Sequence, residues 1–142
     1  MSNPQIVIDT NVMYSGLRSK RGHSFQLLQL VGTERFEIHL SVPLVLEYEE
    51  VLLREEPNLA VGPEVIGDVV DFHCRVARRH RIFYLWRPFL PDADDEMVLE
   101  LAVTAGASHI ITYNKSDFEG VEDLGIRAIK LGTFLKEIGE AE

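Results

Sequence analysis

Cysteine is nearly missing from the 142 residues: Cys74 stands alone, which excludes a disulfide framework within the chain and a four-ligand zinc site built on thiolates. No stretch approaches the roughly 18 apolar residues of a membrane span. The N-terminus offers no basic region ahead of a long apolar run, so no signal peptide is expected and the cytoplasm is the default compartment. Internal repeats, low-complexity tracts and Pro/Gly/Ser-rich linkers are absent too, so residues 1–142 are read as a single domain. The chain contains no H-E-x-x-H, Walker loop, G-x-G-x-x-G or G-x-S-x-G, and His23, His39, His73, His80 and His109 show no metal-ligand spacing.

Positive charge is scarce. Lys and Arg total 14 against 23 Asp and Glu, a formal net charge of −9. Such a balance argues against non-specific nucleic-acid binding, which wants a basic surface. The objection weakens if several acids sit together under divalent cations while the basic residues gather on one side.

What is present suffices for one core: 46% of residues are hydrophobic and 26% charged. Apolar runs bounded by turn residues alternate with helical patterns, the signature of βα units and a parallel sheet. Ile6-Val7-Ile8 reads as a central strand covered on both faces, and a helical stretch bearing Phe25, Leu27, Leu28 and Val31 follows. Phe36 to Val42 reads as the second strand, and Pro43 opens a helix reaching about Leu53. Pro63 and Glu64 begin another helix, and Ile82 to Trp86 is predicted as the third strand. A helix from Asp94 or Asp95 ends near Gly106, with Asp94 as its N-cap and Glu96 turned outward. Ser108 to Thr112 and Ile126 to Ile129 supply strands four and five, before a short helix capped by Thr133. The expected fold is a three-layer α/β/α domain around a parallel sheet of about five strands.

Functional sites in open parallel sheets gather outside the carboxyl ends of the strands. Asp9 closes the first strand, followed by Thr10 and Asn11; either Asp9 or Thr10 can equally be a helix N-cap. Glu47, Glu49 and Glu50 lie on the helix after the second strand, whose apolar stripe is Leu44, Val45, Tyr48, Val51 and Leu52. Glu50 points away from that stripe, and periodicity cannot choose between Glu47 and Glu49. Asp92, Asp94, Asp95 and Glu96 open the helix after the third strand, where acids ordinarily complement the helix dipole. Asp95 shares a face with Val98, Leu99 and Ala102 and so leans toward the core. Thr112 ends the fourth strand, with Asn114 and Asp117 just beyond as turn residues or ligands. So many carboxylates at one sheet edge would repel strongly, and oxygen ligands of this kind suit Mg²⁺ or Mn²⁺.

These segments resemble the PIN-domain family, in particular the bacterial toxin-type (VapC-like) ribonucleases of toxin–antitoxin pairs. The matching pieces are Ile8-Asp9-Thr10-Asn11-Val12, Leu46-Glu47-Tyr48-Glu49-Glu50-Val51-Leu52, Asp92-Ala93-Asp94-Asp95 leading into Leu99-Glu100-Leu101-Ala102, the run from Ala107 to Phe118, and Phe134-Leu135. By position, Asp9, Glu47 and Asp95 resemble the family's three principal metal-binding acids, which selects Glu47 over Glu49. Many relatives carry Thr-x-Asp after the fourth strand, where this chain has Thr112-Tyr113-Asn114; others have an Asn with Asp-Phe three residues later, as Asn114, Asp117 and Phe118 do. The resemblance therefore implies a supporting metal role for Asp117 and a neutral ligand or hydrogen-bonding role for Asn114; Thr10 or Asn11, and likewise Thr112, are expected to orient a carboxylate. It also implies Mg²⁺ or Mn²⁺ as cofactor, RNA as substrate, a small antitoxin as partner and a homodimer.

Arg18, Lys20 and Arg21, close in sequence to Asp9, are the expected contacts to RNA phosphates. Arg75, Arg78, Arg79, His80 and Arg81 are read instead as the solvated, dipole-complementing end of a helix, Phe83 and Trp86 as core aromatics, and Cys74 as a packed thiol. Two other classes compete. One is a catalytically inactive PIN fold that engages RNA or a protein, which Asn114 favours. The other is a phospho-acceptor signalling domain, which wants an acidic pair after the first strand where this chain has Asp9-Thr10.

Overall fold

The computed structural model describes residues 3–19, 21–82 and 89–140. Five strands form one sheet in the order β3-β2-β1-β4-β5, every neighbouring pair parallel. They are β1 (Gln5–Ile8), β2 (Glu37–Ser41), β3 (Arg78–His80), β4 (His109–Ile111) and β5 (Arg127–Ile129). Six α-helices occur among the described residues: α1 (Thr10–Arg18), α2 (His23–Leu30), α3 (Val42–Arg54), α4 (Pro63–Val76), α5 (Ala93–Ala105) and α6 (Leu131–Glu137). Parallel neighbours need crossovers, and crossovers are right-handed. The steps from β1 to β2 and from β2 to β3 run toward one edge, which places α1 to α4 on one face. The return from β3 to β4 runs the other way and puts α5 on the opposite face. The result is the expected α/β/α sandwich.

β1 lies at the centre, and Ile6, Val7 and Ile8 are buried because helices cover both of its faces. Ile8 is registered against Ile111 of β4. α5 packs on β1, β2 and β4 through Val98, Leu99, Leu101 and Ala102. On the other face α1 and α2 approach so closely that a Cβ on Gly16 would collide with Leu28. Strand order turns around at β1, so the crevice between the carboxyl ends of β1 and β4 is the switch point where such sheets hold ligands.

The third strand departs from the sequence expectation. It is Arg78–His80; Ile82 lies outside it, and 83–86 fall outside the described residues, as do the predicted core aromatics Phe83 and Trp86. The helix correspondingly stops at Val76 with Ala77 as C-cap, so Arg78, Arg79, His80 and Arg81 are not its end. The reason is position. An edge strand pairs on one side only and can carry charges where a central strand needs an apolar run. Here backbone pairing to β2 is reinforced by side chains: His39 Nε2 donates to Gln5 Oε1 (2.6 Å), its Nδ1 meets His80 Nε2 (2.8 Å), and Arg78 pairs with Glu37 (3.1 Å). Two smaller shifts occur at helix starts. Asp92, not Asp94, caps α5, and α6 begins at Leu131, ahead of Thr133. Cys74 is half-buried on α4 and packs against the core.

Candidate active site

Asp9 has extended backbone at the end of β1 and caps α1, its Oδ1 accepting from the Thr10 N–H at 2.9 Å. The capping role anticipated as the alternative is therefore real, but it uses one oxygen only. Oδ2 accepts from the Thr112 hydroxyl at 2.8 Å, across the β1–β4 seam. Thr112 is fully buried and its Oγ1 also receives the Asn114 N–H (3.0 Å) and lies 3.4 Å from Asn11 Nδ2. Asn11 Oδ1 in turn accepts from the Tyr113 N–H at 3.4 Å. The expected orienting residues Thr112, Asn11 and Asn114 thus form one connected set behind Asp9. Burial pushes the Asp9 carboxyl above the usual range, and the charge of Asp117 adds to that against the lowering hydrogen bonds from Thr112 and Thr10.

Glu47 projects from the second turn of α3, half-buried, and accepts a short hydrogen bond from the Thr10 hydroxyl. Its pKa is raised, first by burial and then by Asp94, Asp9 and Glu50. Glu49 is exposed, as is Glu50. Between them Tyr48 is fully buried and donates its hydroxyl to the Ile8 carbonyl, fastening α3 to the end of β1.

Asp95 lies in the first turn of α5, and its carboxyl is pushed up to about 7. Burial is the largest cause, followed by the charges of Asp117, Asp9, Asp92 and Asp94. Asp117 is exposed on a 3₁₀ turn (Lys115–Phe118) whose Phe118 is buried in the core and whose Asp117 N–H bonds to the Asn114 carbonyl at 3.0 Å. Four acids from four chain segments therefore share one electrostatic neighbourhood at the carboxyl ends of β1, β2 and β4.

Oxygen donors of this kind fit a hard divalent cation, and mutual repulsion among them is the charge such an ion relieves. Among the described residues, no three His, Cys, Asp or Glu side chains are gathered in an arrangement that holds an ion. Asp9 and Glu47 instead satisfy their oxygens with the hydroxyls of Thr112 and Thr10.

Sequence reasoning misplaced Glu96. It is buried, and its carboxylate accepts from the N–H groups of Phe89 (2.8 and 3.0 Å) and Leu90 (2.6 Å), clamping the approach to α5. Acids in a first helical turn normally face solvent, and nothing in the local pattern marks a return to the preceding loop. Of the expected phosphate contacts, Arg18 and Arg21 are exposed, and Lys20 lies outside the described residues.

Among solved structures, the fold resembles a chain of VapBC2 from Rickettsia felis, crystallised with a DNA fragment from their promoter. The TM-score is 0.60 at 11% identity, covering 89% of this chain and 98% of that one. It also resembles a PilT N-terminus domain protein from the hyperthermophilic archaeon Sulfolobus solfataricus P2, with a TM-score of 0.56 at 15% identity over 97% and 96% of the two chains. None of the curated proteins matches the sequence. The family model described as PIN domain matches residues 5–116, a span that takes in Asp9, Glu47 and Asp95 and stops one residue short of Asp117. By that match over most of its length, the chain belongs to the PIN-domain family.

Proposed function

We propose that this PIN-domain protein is a metal-dependent endoribonuclease that hydrolyses RNA phosphodiester bonds. The observation that carries the reading is the gathering of Asp9, Glu47, Asp95 and Asp117 from four chain segments, where burial first and then the charges of Asp117 and Asp9 push the Asp95 carboxyl up to about 7. A fold that needed only stability would not collect carboxylates from distant segments at its switch point. Asp9, Glu47 and Asp95 would hold Mg²⁺ or Mn²⁺, with Asp117 supporting. When bound, such an ion supplies positive charge against the phosphate and makes a coordinated water more acidic. The chain's own work is positioning. Thr112 and Thr10 orient Asp9 and Glu47, Asn11 and Asn114 fix the Thr112 hydroxyl, and Glu96 sets the path by which Asp95 is delivered. Arg18, Lys20 and Arg21 meet the RNA backbone.

Purified protein should cleave generic single-stranded RNA only with Mg²⁺ or Mn²⁺, and Asp95→Asn should abolish cleavage while leaving the fold intact. Full activity in that variant, or in excess chelator, sinks the reading.

The toxin role is part of the same proposal. Its support is the likeness to the VapBC2 chain and the match of segment order to toxin-type relatives. On that role the protein works in the cytoplasm as a homodimer and is held in check by a small antitoxin, encoded in a neighbouring reading frame. No helix among the described residues is long and apolar enough to cross a membrane. A second reading, an inactive PIN fold that binds RNA or protein, is favoured by Asn114 standing where many relatives place an acid. RNA binding without cleavage at any Mg²⁺ or Mn²⁺ concentration would select it.

A further inference from the structure

A groove of about 370 Å³ leaves the acid cluster along the seam between α1 and α3, lined by Thr10, Asn11, Tyr14, Val51 and Glu55. Both helices start at the carboxyl edge of the sheet, so they descend side by side. Thr10, Tyr14 and Arg18 follow one another at four-residue intervals on α1, and Glu47 and Val51 do the same on α3, continued by Glu55 at its C-cap. The Thr10–Glu47 hydrogen bond closes the head of the groove. Tyr14 lies about 6 Å farther down the axis and Arg18 about 12 Å down, at 1.5 Å per residue. Tyr14 is half-buried and Arg18 exposed.

We propose, resting on the nuclease reading above, that this groove seats a nucleobase next to the scissile phosphate, stacked on Tyr14, with Arg18 beyond it meeting the strand's backbone. Carboxylates stand at both ends of the groove and, among the described residues, no cation lines it, so it disfavours a phosphate and accepts an uncharged plane. Tyr14 and Val51 offer apolar contact. Glu55, whose Oε2 accepts from Asn58 Nδ2 at 3.0 Å and whose Oε1 lies 3.8 Å from Arg54 Nε, keeps a free lone pair on each oxygen to meet a base amino group. An aromatic platform followed by a cation along one track is how proteins hold single-stranded nucleic acid. Inside a duplex both faces of a base are covered, so the base that stacks on Tyr14 must be unpaired.

Binding tests the proposal apart from cleavage. Fluorescence anisotropy with a labelled single-stranded oligoribonucleotide in Ca²⁺ would compare wild type, Tyr14→Phe and Tyr14→Leu, which fills the site without a ring. Each would be measured on intact RNA and on a set of oligonucleotides made abasic at one position. The expected result is about tenfold weaker binding for Tyr14→Leu, with Tyr14→Phe within about twofold of wild type. At one abasic position the loss should vanish, because the base that met the ring is gone. Losses that add at every position, or no RNA binding by wild type, overturn the proposal. If the coupling appears but Mg²⁺ yields no cleavage, the nuclease reading falls and the base site stands. Cleavage without coupling removes the base site and leaves the nuclease reading intact.

Discussion

Replacing Asp95 by Asn should make the metal-free protein more stable, the opposite of what removing a charged side chain from an ordinary ion pair does. Folded Asp95 takes up its proton at about 7 because burial, Asp117, Asp9, Asp92 and Asp94 all oppose its charge. An unstrained Asp titrates near 3.9, so the shift is roughly three units, formally ~4 kcal/mol at about 1.4 kcal/mol per unit. The carboxyl is partly exposed and water screens much of that repulsion, leaving about 1–2 kcal/mol. The sign follows from proton counting. Between about pH 4 and about pH 7 the folded state holds a proton that the unfolded chain has lost, so stability falls as pH rises through this window. Above about pH 7 the whole penalty stands. Asn carries no charge, so in EDTA at about pH 8 Asp95→Asn should melt several degrees above wild type, and the gap should close toward about pH 4. Adding Mg²⁺ or Mn²⁺ should reverse the order. An ion at 100 times its dissociation constant stabilises wild type by about 2.7 kcal/mol, and the variant, lacking a ligand, gains far less. Thermal melts across a pH series, with and without metal, read all of this. A variant less stable in EDTA at high pH, or one that gains as much from the metal as wild type, would refute the reasoning.

Thr112→Val should cost about 1–3 kcal/mol, because Asp9 Oδ2 and the Asn114 N–H lose their partner, and RNA cleavage should fall while Thr112→Ser retains it. Chemical denaturation and a cleavage assay check the pair, and a fully active Val variant would remove Thr112 from the site. Glu96→Ala should cost about 2–3 kcal/mol and speed amide exchange at Phe89 and Leu90, whose N–H groups lose a charged acceptor; unaltered exchange there would mean that the carboxylate clamps nothing. Burial lowers the pKa of His73, whose Nδ1–H donates to the Val69 carbonyl (2.8 Å) and whose Nε2 has no partner among the described residues. The unfolded chain therefore protonates this residue first, so its contribution to stability is lost as pH falls below about 6.5. His73→Leu should gain on wild type steadily from about pH 7 to about pH 5 in urea titrations, and a constant difference would contradict that.

Much of the fold was legible because its signals are local. Ile6-Val7-Ile8 reads as a covered strand and is one, Pro43 and Pro63 mark helix starts, and Gly106 stops α5 in the left-handed conformation that glycine tolerates. β3 was illegible for a physical reason: Arg-Arg-His has no strand pattern of its own and is held by pairing with His39, Leu40 and Ser41. The apolar run that drew attention instead, from Ile82 to Trp86, has the strand-like composition that Arg-Arg-His lacks, and 83–86 lie outside the described residues.

The site divides the same way. The sequence by itself placed Asp9, Asp95 and Asp117 just past strands or in a first turn and put Glu47 on the helix after the second strand, since where a strand ends and a helix begins is written in neighbouring residues. Periodicity left Glu47 and Glu49 equal, and the resemblance to PIN domains chose between them. The tertiary structure put Glu47 against Thr10, left Glu49 exposed, turned Glu96 inward and joined Thr112 to Asp9 across 103 positions of chain. It alone sets how strongly the acids feel one another. Coulomb repulsion depends on distance and on the water excluded between charges, and for residues so far apart in sequence only the packing of β1, β4, α3 and α5 fixes either quantity.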